Sequence, residues 1–122
     1  MTDLDLIMLS AAAAGLTAGR ISECRKYIYT RELGKWWSPL MDDGDALRLA
    51  VALNIDIQHG QQDGYVSVRE KRGAWIFAPY KHHATDRGAA TRYAIVVAAA
   101  KIGKERQAQF IQTTKGISKW KH

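Results

Sequence analysis

The alternation of apolar and polar positions predicts a helix at the start of the chain. Apolar side chains recur at helical spacing over residues 3–14, and Thr2 or Asp3 stands before them as a residue type that caps helices. Gly15 is typical of the position that follows a helix. Residues 25–33 are rich in β-branched and aromatic side chains but alternate imperfectly, so this segment is consistent with a strand or with a short helix.

The next pattern predicts an amphipathic helix that begins near Gly44, with Asp42 or Asp43 as its cap. Four apolar residues follow the spacing of a helix face that packs on a core: Ala46, Leu49, Ala50 and Leu53. Three residues fall on the opposite side of this helix: Asp45, Arg48 and Ala52. Asn54 is a residue type that often ends a helix.

Three short segments with turn residues between them predict an antiparallel meander. Residues 55–59 alternate between apolar and polar side chains, and residues 65–68 do so again after a turn of Gly, Gln and Asp. Arg72 and Gly73 then separate the second strand from a third, residues 74–78.

The longest helix is predicted to follow the meander. Thr85 or Asp86 can cap it, and Gly103 is expected to end it after Ile102. Residues 93–100 leave almost no polar stripe, so we expect this helix to be covered on more than one side.

Length and composition indicate one domain. A chain of 122 residues with 47% apolar side chains can fill one core rather than two. We predict an α+β fold over residues 1–104, an antiparallel meander of three or four strands with helices packed on it. Residues 105–122 are rich in Gln, Thr, Lys, Gly and Ser, which predicts a basic, flexible C-terminal tail.

Further compositional features favour a cytoplasmic protein without metal or cofactor. No segment has the roughly 18 to 20 apolar residues of a membrane span, and Asp3 and Asp5 stand where a secretory signal would carry Lys or Arg. Cys24 is the single cysteine, so the sequence predicts no internal disulfide and no cysteine zinc site. We therefore expect no membrane contact and a cytoplasmic location.

The net charge of +6 is concentrated at the C-terminal end, where residues 84–122 hold eight basic and two acidic side chains. A basic end of this kind contacts phosphates in proteins that bind nucleic acid, while an aromatic ring stacks on a base. The candidate residues are Lys115, Lys119, Trp120 and Lys121, and Arg25 with Lys26 extends the same hypothesis. The alternative is a solubilising tail with no ligand.

Two polar groups resemble catalytic or metal sites only weakly. His82 and His83 are adjacent, so a regular element cannot direct both at one ion, and His59 and Asp86 lie elsewhere in the chain. The aspartates near Gly44 are explained by helix capping without a cation. No serine lies in a nucleophile turn, so the sequence predicts a protein that is not an enzyme.

Two segments carry a resemblance to a known family. The first runs from Trp37 to Val51 (WSPLMDDGDALRLAV) and the second from Ala89 to Gly103 (AATRYAIVVAAAKIG). Together they resemble the phage ABA sandwich domain, a family of small phage and prophage proteins, over roughly residues 35–104. The resemblance implies an α/β/α sandwich. It implies no catalytic residue or ligand, and it leaves structural roles for Trp37, Asp42, Asp45 and Arg92.

The leading functional hypothesis is a phage or prophage accessory protein that binds a host or phage protein in the cytoplasm of the bacterial host. The alternative is a nucleic-acid-binding regulator that uses the basic C-terminal region. Of the adjacent tryptophans, Trp37 is predicted to lie in the core and Trp36 to be exposed, where it is a candidate partner-binding residue. The oligomeric state stays open.

Overall fold

The computed structural model describes residues 1–60, 64–71, 73–79 and 86–120, and these residues form an α+β fold. The helices are α1 (Asp3–Ala13), α2 (Asp43–Ala52) and α3 (Arg87–Trp120). The strands are β1 (Ala18–Ile21), β2 (Ile28–Thr30), β3 (Lys35–Trp37), β4 (Ile55–His59), β5 (Tyr65–Glu70) and β6 (Ile76–Pro79). The predicted fold class, helices packed on antiparallel strands, is confirmed.

Local capping chemistry sets the ends of the first two helices. The Thr2 hydroxyl accepts from the Asp5 amide at 3.1 Å, and the Asp5 carboxylate accepts from the Thr2 amide at 2.9 Å, so the two residues cap α1 reciprocally. Asp42 caps α2 by accepting from the Asp45 amide at 2.8 Å. Asn54 follows α2 with a φ of 55°, a left-handed conformation that ends a helix.

The strands form two separate antiparallel sheets of three. The second sheet has the order β4, β5, β6, which confirms the predicted meander. The first has the order β1, β2, β3, and its central strand lies in the segment 25–33 that the sequence left between strand and helix. Sequence analysis missed β1 and β3 because strands of four and three residues are too short for an alternation to be recognised.

Helix α3 is the central element of the core. One side packs on α1, and other parts contact α2 and the inner face of the second sheet, where Val66 and Val68 are fully buried. Five alanines of α3 are buried: Ala90, Ala94, Ala98, Ala99 and Ala100. The prediction that this helix is covered on more than one side is therefore confirmed. Outward-facing Tyr65 and Phe77 of the second sheet are exposed.

The predicted end of the last helix is wrong, because α3 continues through Gly103 to Trp120. Gly103 is buried at the contact with α1, where an added Cβ would overlap the Leu9 carbonyl oxygen and lie 2.9 Å from its carbon. Three residues further on, the Arg106 guanidinium donates to the carbonyl of Ala13. Gly103 thus permits a close contact between α1 and α3 instead of ending α3. Residues 105–120 belong to the same helix. The flexibility of residues 105–122 stays a prediction.

Asp45 does not lie on an exposed side of α2. Its side chain is only 3% exposed and accepts from Lys35 Nζ at 2.9 Å, the Ser38 amide at 3.0 Å and Arg48 Nη2 at 2.8 Å. Burial raises the pKa of Asp45, but these three donors outweigh it and leave the pKa below its ordinary value. Periodicity within α2 assigned Asp45 to the polar side, because two of its three donors, Lys35 and Ser38, lie outside the helix. The buried carboxylate fixes β3 and the following loop against α2.

Candidate macromolecule-binding face

The two adjacent tryptophans of β3 point to opposite faces of the first sheet. Trp37 is 3% exposed and joins the core with Ile28, its neighbour on β2, whereas Trp36 is 44% exposed. This arrangement follows from the alternation of side chains along a strand. It confirms the predicted placement of both rings and leaves the outer face of the sheet with a large aromatic group.

Three side chains form a row across this outer face. The pairing register places Arg20 of β1 opposite Tyr29 of β2, and Tyr29 opposite Trp36 of β3. The Tyr29 and Trp36 rings meet edge to face, with centroids 5.6 Å apart and planes at 80°. The Arg20 guanidinium lies 5.4 Å from the Tyr29 centroid, within the range of a cation–π interaction. Strand register thus holds Tyr29 between a cation and a second ring.

Arg20 reaches the outer face because β1 contains a bulge. Ala18 pairs with Thr30 and Arg20 pairs with Tyr29, so Gly19 is an extra residue between them. In a regular strand the Arg20 side chain would lie on the same face as Ala18, which is the inner face of the first sheet. The extra residue, Gly19, places Arg20 on the outer face instead. Arg31 lies beside this bulge, since its Cγ is 3.8 Å from the position that a Cβ of Gly19 would occupy.

We call Arg20, Tyr29, Arg31 and Trp36 the aromatic face. Sequence analysis identified Trp36 but not Arg20 or Arg31. A glycine inside a short strand is a known signal for a bulge, so Gly19 offered an indication. The bulge itself could be identified only from the pairing of β1 with β2, because a bulge is defined by the register of two strands.

The aromatic face lies in a basic part of the chain. Residues 18–37 hold five basic and two acidic side chains. Glu32 is engaged by the Thr17 amide at 2.7 Å, a hydrogen bond that lowers the pKa of Glu32. Lys35 is paired with Asp45. Within the part of the chain that the structure describes, Arg20 and Arg31 form no ion pair.

The candidate residues Arg25 and Lys26 are exposed in the turn between β1 and β2. They lie at one end of the hairpin that carries Arg20 and Tyr29, and neither forms an ion pair among the described residues. The candidates Lys115, Lys119 and Trp120 belong to the last turns of α3, while Lys121 lies outside the described residues. The structure thus adds positive charge beside the aromatic face that does not depend on the C-terminal end.

The outer face of the second sheet also has aromatic groups but a different charge. Tyr65 and Phe77 meet edge to face at 6.4 Å, and the Arg69 guanidinium lies 4.5 Å from the Trp75 centroid. Here the arginine is paired, because the Asp56 carboxylate lies 3.3 Å from Arg69 Nε. The outer face of the second sheet can therefore be compared with the aromatic face. It has similar rings and a similar cation–π contact, but a carboxylate offsets its positive charge.

A groove of about 560 Å³ lies between α2, β4 and the first turns of α3. Four of its polar side chains bond to one another or to the main chain. Arg92 donates to the Leu40 carbonyl at 2.9 Å and to Asp43 at 2.6 Å, and His59 Nε2 lies 3.0 Å from the Thr91 hydroxyl. These contacts connect α3 to α2 and β4, so they are suited to holding the helices together.

Of the remaining residues considered for metal or acid–base chemistry, the structure describes Asp86 and His59. Asp86 accepts from the Ala89 amide at 3.1 Å and so caps α3, as predicted. His59 lies in the groove, and His82 and His83 lie outside the described residues. Residues 1–60, 64–71, 73–79 and 86–120 contain no group of three or more His, Cys, Asp or Glu side chains placed to hold a metal ion.

None of the described helices has the length and apolar character needed to cross a membrane. Comparison with known protein families, curated protein sequences and solved structures found no match to this chain. The resemblance to the phage family therefore stays a prediction.

Proposed function

We propose that this protein is a macromolecule-binding module of a phage or prophage and that the aromatic face is its binding surface. The observation that carries the proposal is the row of exposed Arg20, half-buried Tyr29 and exposed Trp36 on the outer face of the first sheet. Tryptophan, tyrosine and arginine are the residues that most often dominate the binding energy of protein interfaces. Rings held by strand register also lose little conformational freedom when a partner binds.

Support for binding rather than catalysis comes from the groove. A catalytic pocket requires polar groups that converge on a point where a substrate can lie. In the groove Arg92, Asp43, His59 and Thr91 bond to one another or to the main chain, and these contacts join secondary-structure elements. The aromatic face offers exposed groups on a rigid support instead.

Support for a phage or prophage origin comes from the two segments that resemble the phage ABA sandwich domain. The first segment builds the Asp42 cap, the buried Asp45 carboxylate and α2. The second builds the buried part of α3 as far as Gly103. Both segments therefore encode the core of the fold, while the aromatic face lies mostly outside them and is where the binding specificity of this chain would reside.

The proposal is tested by affinity capture from an infected or induced host lysate. Wild-type protein is compared with Trp36→Ala and with Phe77→Ala, an exposed aromatic residue of the other sheet, 62% exposed. We expect Trp36→Ala to lose the molecules that the wild type retains, and Phe77→Ala to keep them. Equal capture by all three proteins would refute the assignment of the surface. Nuclease treatment of the lysate separates protein partners from nucleic acid.

A further inference from the structure

We infer that the ligand of the aromatic face is single-stranded nucleic acid, an inference that rests on the proposed function of that face. Four features support it: an exposed indole, a tyrosine held in a fixed position, arginines that form no ion pair among the described residues, and an antiparallel sheet that carries them. Proteins that bind single strands without a strong sequence preference combine aromatic stacking surfaces with a positively charged path for the backbone.

Trp36 is the stacking group. It is 44% exposed on an edge strand, and the Tyr29 ring at 80° to it limits the orientations that the indole can take. Tyr29 is itself held by Arg20 on the neighbouring strand. A base that stacks on Trp36 therefore meets a surface that is already ordered, so little side-chain freedom is lost on binding.

The positive charge beside the rings exceeds the negative charge nearby: residues 18–37 hold five basic and two acidic side chains, and Glu32 attracts Arg31 without forming an ion pair with it. Arg20 and Arg31 flank Tyr29, and Arg25 and Lys26 continue the basic surface at the turn between β1 and β2. Phosphates would balance the excess of positive charge that the two glutamates of this segment leave. On the second sheet, by contrast, Asp56 neutralises Arg69, so a polyanion gains less there.

The same geometry favours a single strand over a duplex. Three strands of a sheet span roughly 10 Å, and the rings stand on that surface rather than projecting from a helix that could enter a groove. In a duplex the faces of the bases are stacked on each other and cannot contact an indole, whereas the bases of a single strand are accessible.

The inference is tested with purified full-length protein and a labelled oligonucleotide of mixed sequence. Fluorescence anisotropy at low salt compares the single strand with the same strand annealed to its complement. We expect the single strand to bind more tightly, and Trp36→Ala to weaken its binding by about 5- to 150-fold, the range for loss of one stacked base. Phe77→Ala is the matched control and is expected to bind as the wild type does.

The charge contribution is tested without removing a ring. The double variant Arg20→Gln, Arg31→Gln is compared with Arg69→Gln, Lys71→Gln, which removes the same charge from the second sheet and its following turn. If Arg20 and Arg31 each contact a phosphate, the slope of log K against log salt falls by about 1.4 for the first pair. The second pair is expected to retain the slope of the wild type. The comparison of these two double variants also tests the inferred binding of single strands if Trp36→Ala does not fold.

Three results would overturn the inference. One is absence of binding at low salt, and another is equal binding by wild type and the Trp36→Ala and Arg20/Arg31 variants. The third is loss of binding only when Lys115, Lys119 and Lys121 are all replaced by Gln, which would assign the interaction to the C-terminal end. If binding is absent while lysate capture depends on Trp36 and resists nuclease, the proposed function stands with a protein partner and only the ligand class is wrong.

Discussion

Gly103 of α3 lies against the carbonyl group of Leu9 in α1, so closely that a Cβ at residue 103 would overlap the Leu9 oxygen. This contact sets how near the two helices approach. Because the helices lie close together, small side chains fill the space between them. One of these is Ser10, whose hydroxyl donates either to the Leu6 carbonyl at 2.8 Å or to the Val96 carbonyl at 3.2 Å. The helix pair is the most extensive helix contact of the core.

The first prediction concerns Gly103→Ala. In an exposed helix this change stabilises a protein by up to about 1 kcal/mol, because alanine has the higher helix propensity. Here we expect the opposite sign, a loss of about 1–3 kcal/mol, because the added methyl group overpacks the contact with Leu9. The free energy of unfolding in urea measures the difference.

Lys101→Ala is the control for that experiment. Lys101 is exposed in the same helix two residues earlier, so its replacement is expected to change the stability by no more than about 0.5 kcal/mol. A stabilising effect of Gly103→Ala would show that the two helices are not in close contact at this point.

The second prediction concerns the buried carboxylate of Asp45. Asp45→Asn removes the charge that receives hydrogen bonds from Lys35, Arg48 and the Ser38 amide. We expect a loss of about 1–3 kcal/mol at neutral pH, the range for a hydrogen-bonded charged group that is left incompletely paired. Asp56→Asn is the control, since its ion pair with Arg69 lies on the surface and contributes at most about 1 kcal/mol.

The third prediction is the pH dependence of the same contact. The pKa of Asp45 in the folded protein lies below its ordinary value of 3.8, so ionised Asp45 stabilises the fold above that value. This contribution is lost as the pH falls through the folded-state pKa. The stability difference between wild type and Asp45→Asn should therefore shrink as urea unfolding is repeated from neutral pH down to below 3.8. A difference that stays constant would mean that the charge of Asp45 is not what stabilises this contact.

The fourth prediction concerns Arg92, which bonds to both the Leu40 carbonyl and Asp43. Lysine carries the same charge but has no planar fork with which to reach both oxygens. Arg92→Lys is therefore expected to destabilise the protein by about 1 kcal/mol in thermal or urea unfolding. Arg31→Lys, at an arginine without an ion pair among the described residues, should leave the stability near that of the wild type. Equal stability of both variants would argue against the role given to Arg92.

The fifth prediction separates the adjacent tryptophans by their access to a quencher. Trp36 is exposed and Trp37 is buried, so Trp36→Phe should lower the fraction of fluorescence that acrylamide quenches, and Trp37→Phe should raise it. The opposite pattern would mean that the faces of the first sheet are exchanged.

Local rules in the sequence were sufficient to place the boundaries of α1, α2 and β4 within one residue. The caps at Thr2 and Asp42 and the left-handed Asn54 depend on interactions within a few residues, which a sequence displays directly. Gly103 was misassigned because the helix it packs against, α1, comes from a distant part of the chain, and Asp45 because its donors Lys35 and Ser38 precede α2. Gly103 satisfied the rule for a helix end and Asp45 the rule for a polar face, and packing against other elements overrode both.

The candidate surface was only partly predictable for the same reason. Trp36 was assigned as exposed because one of two adjacent tryptophans was expected to anchor the core. The positions of Arg20 and Arg31 depended on the bulge at Gly19 and on the pairing of β1 with β2. No periodicity in a strand of four residues reveals that register.

Chemical-shift mapping by NMR tests the central claim most directly, because it reports where a ligand binds without a substitution. Labelled full-length protein is titrated with a single-stranded oligonucleotide, and the shifts of backbone amides and tryptophan indoles are followed. We predict that the largest changes occur in β1, β2 and β3, including the Trp36 indole, with small changes in β4, β5 and β6. Changes confined to the second sheet or to the last turns of α3, or no changes at all, would contradict this account.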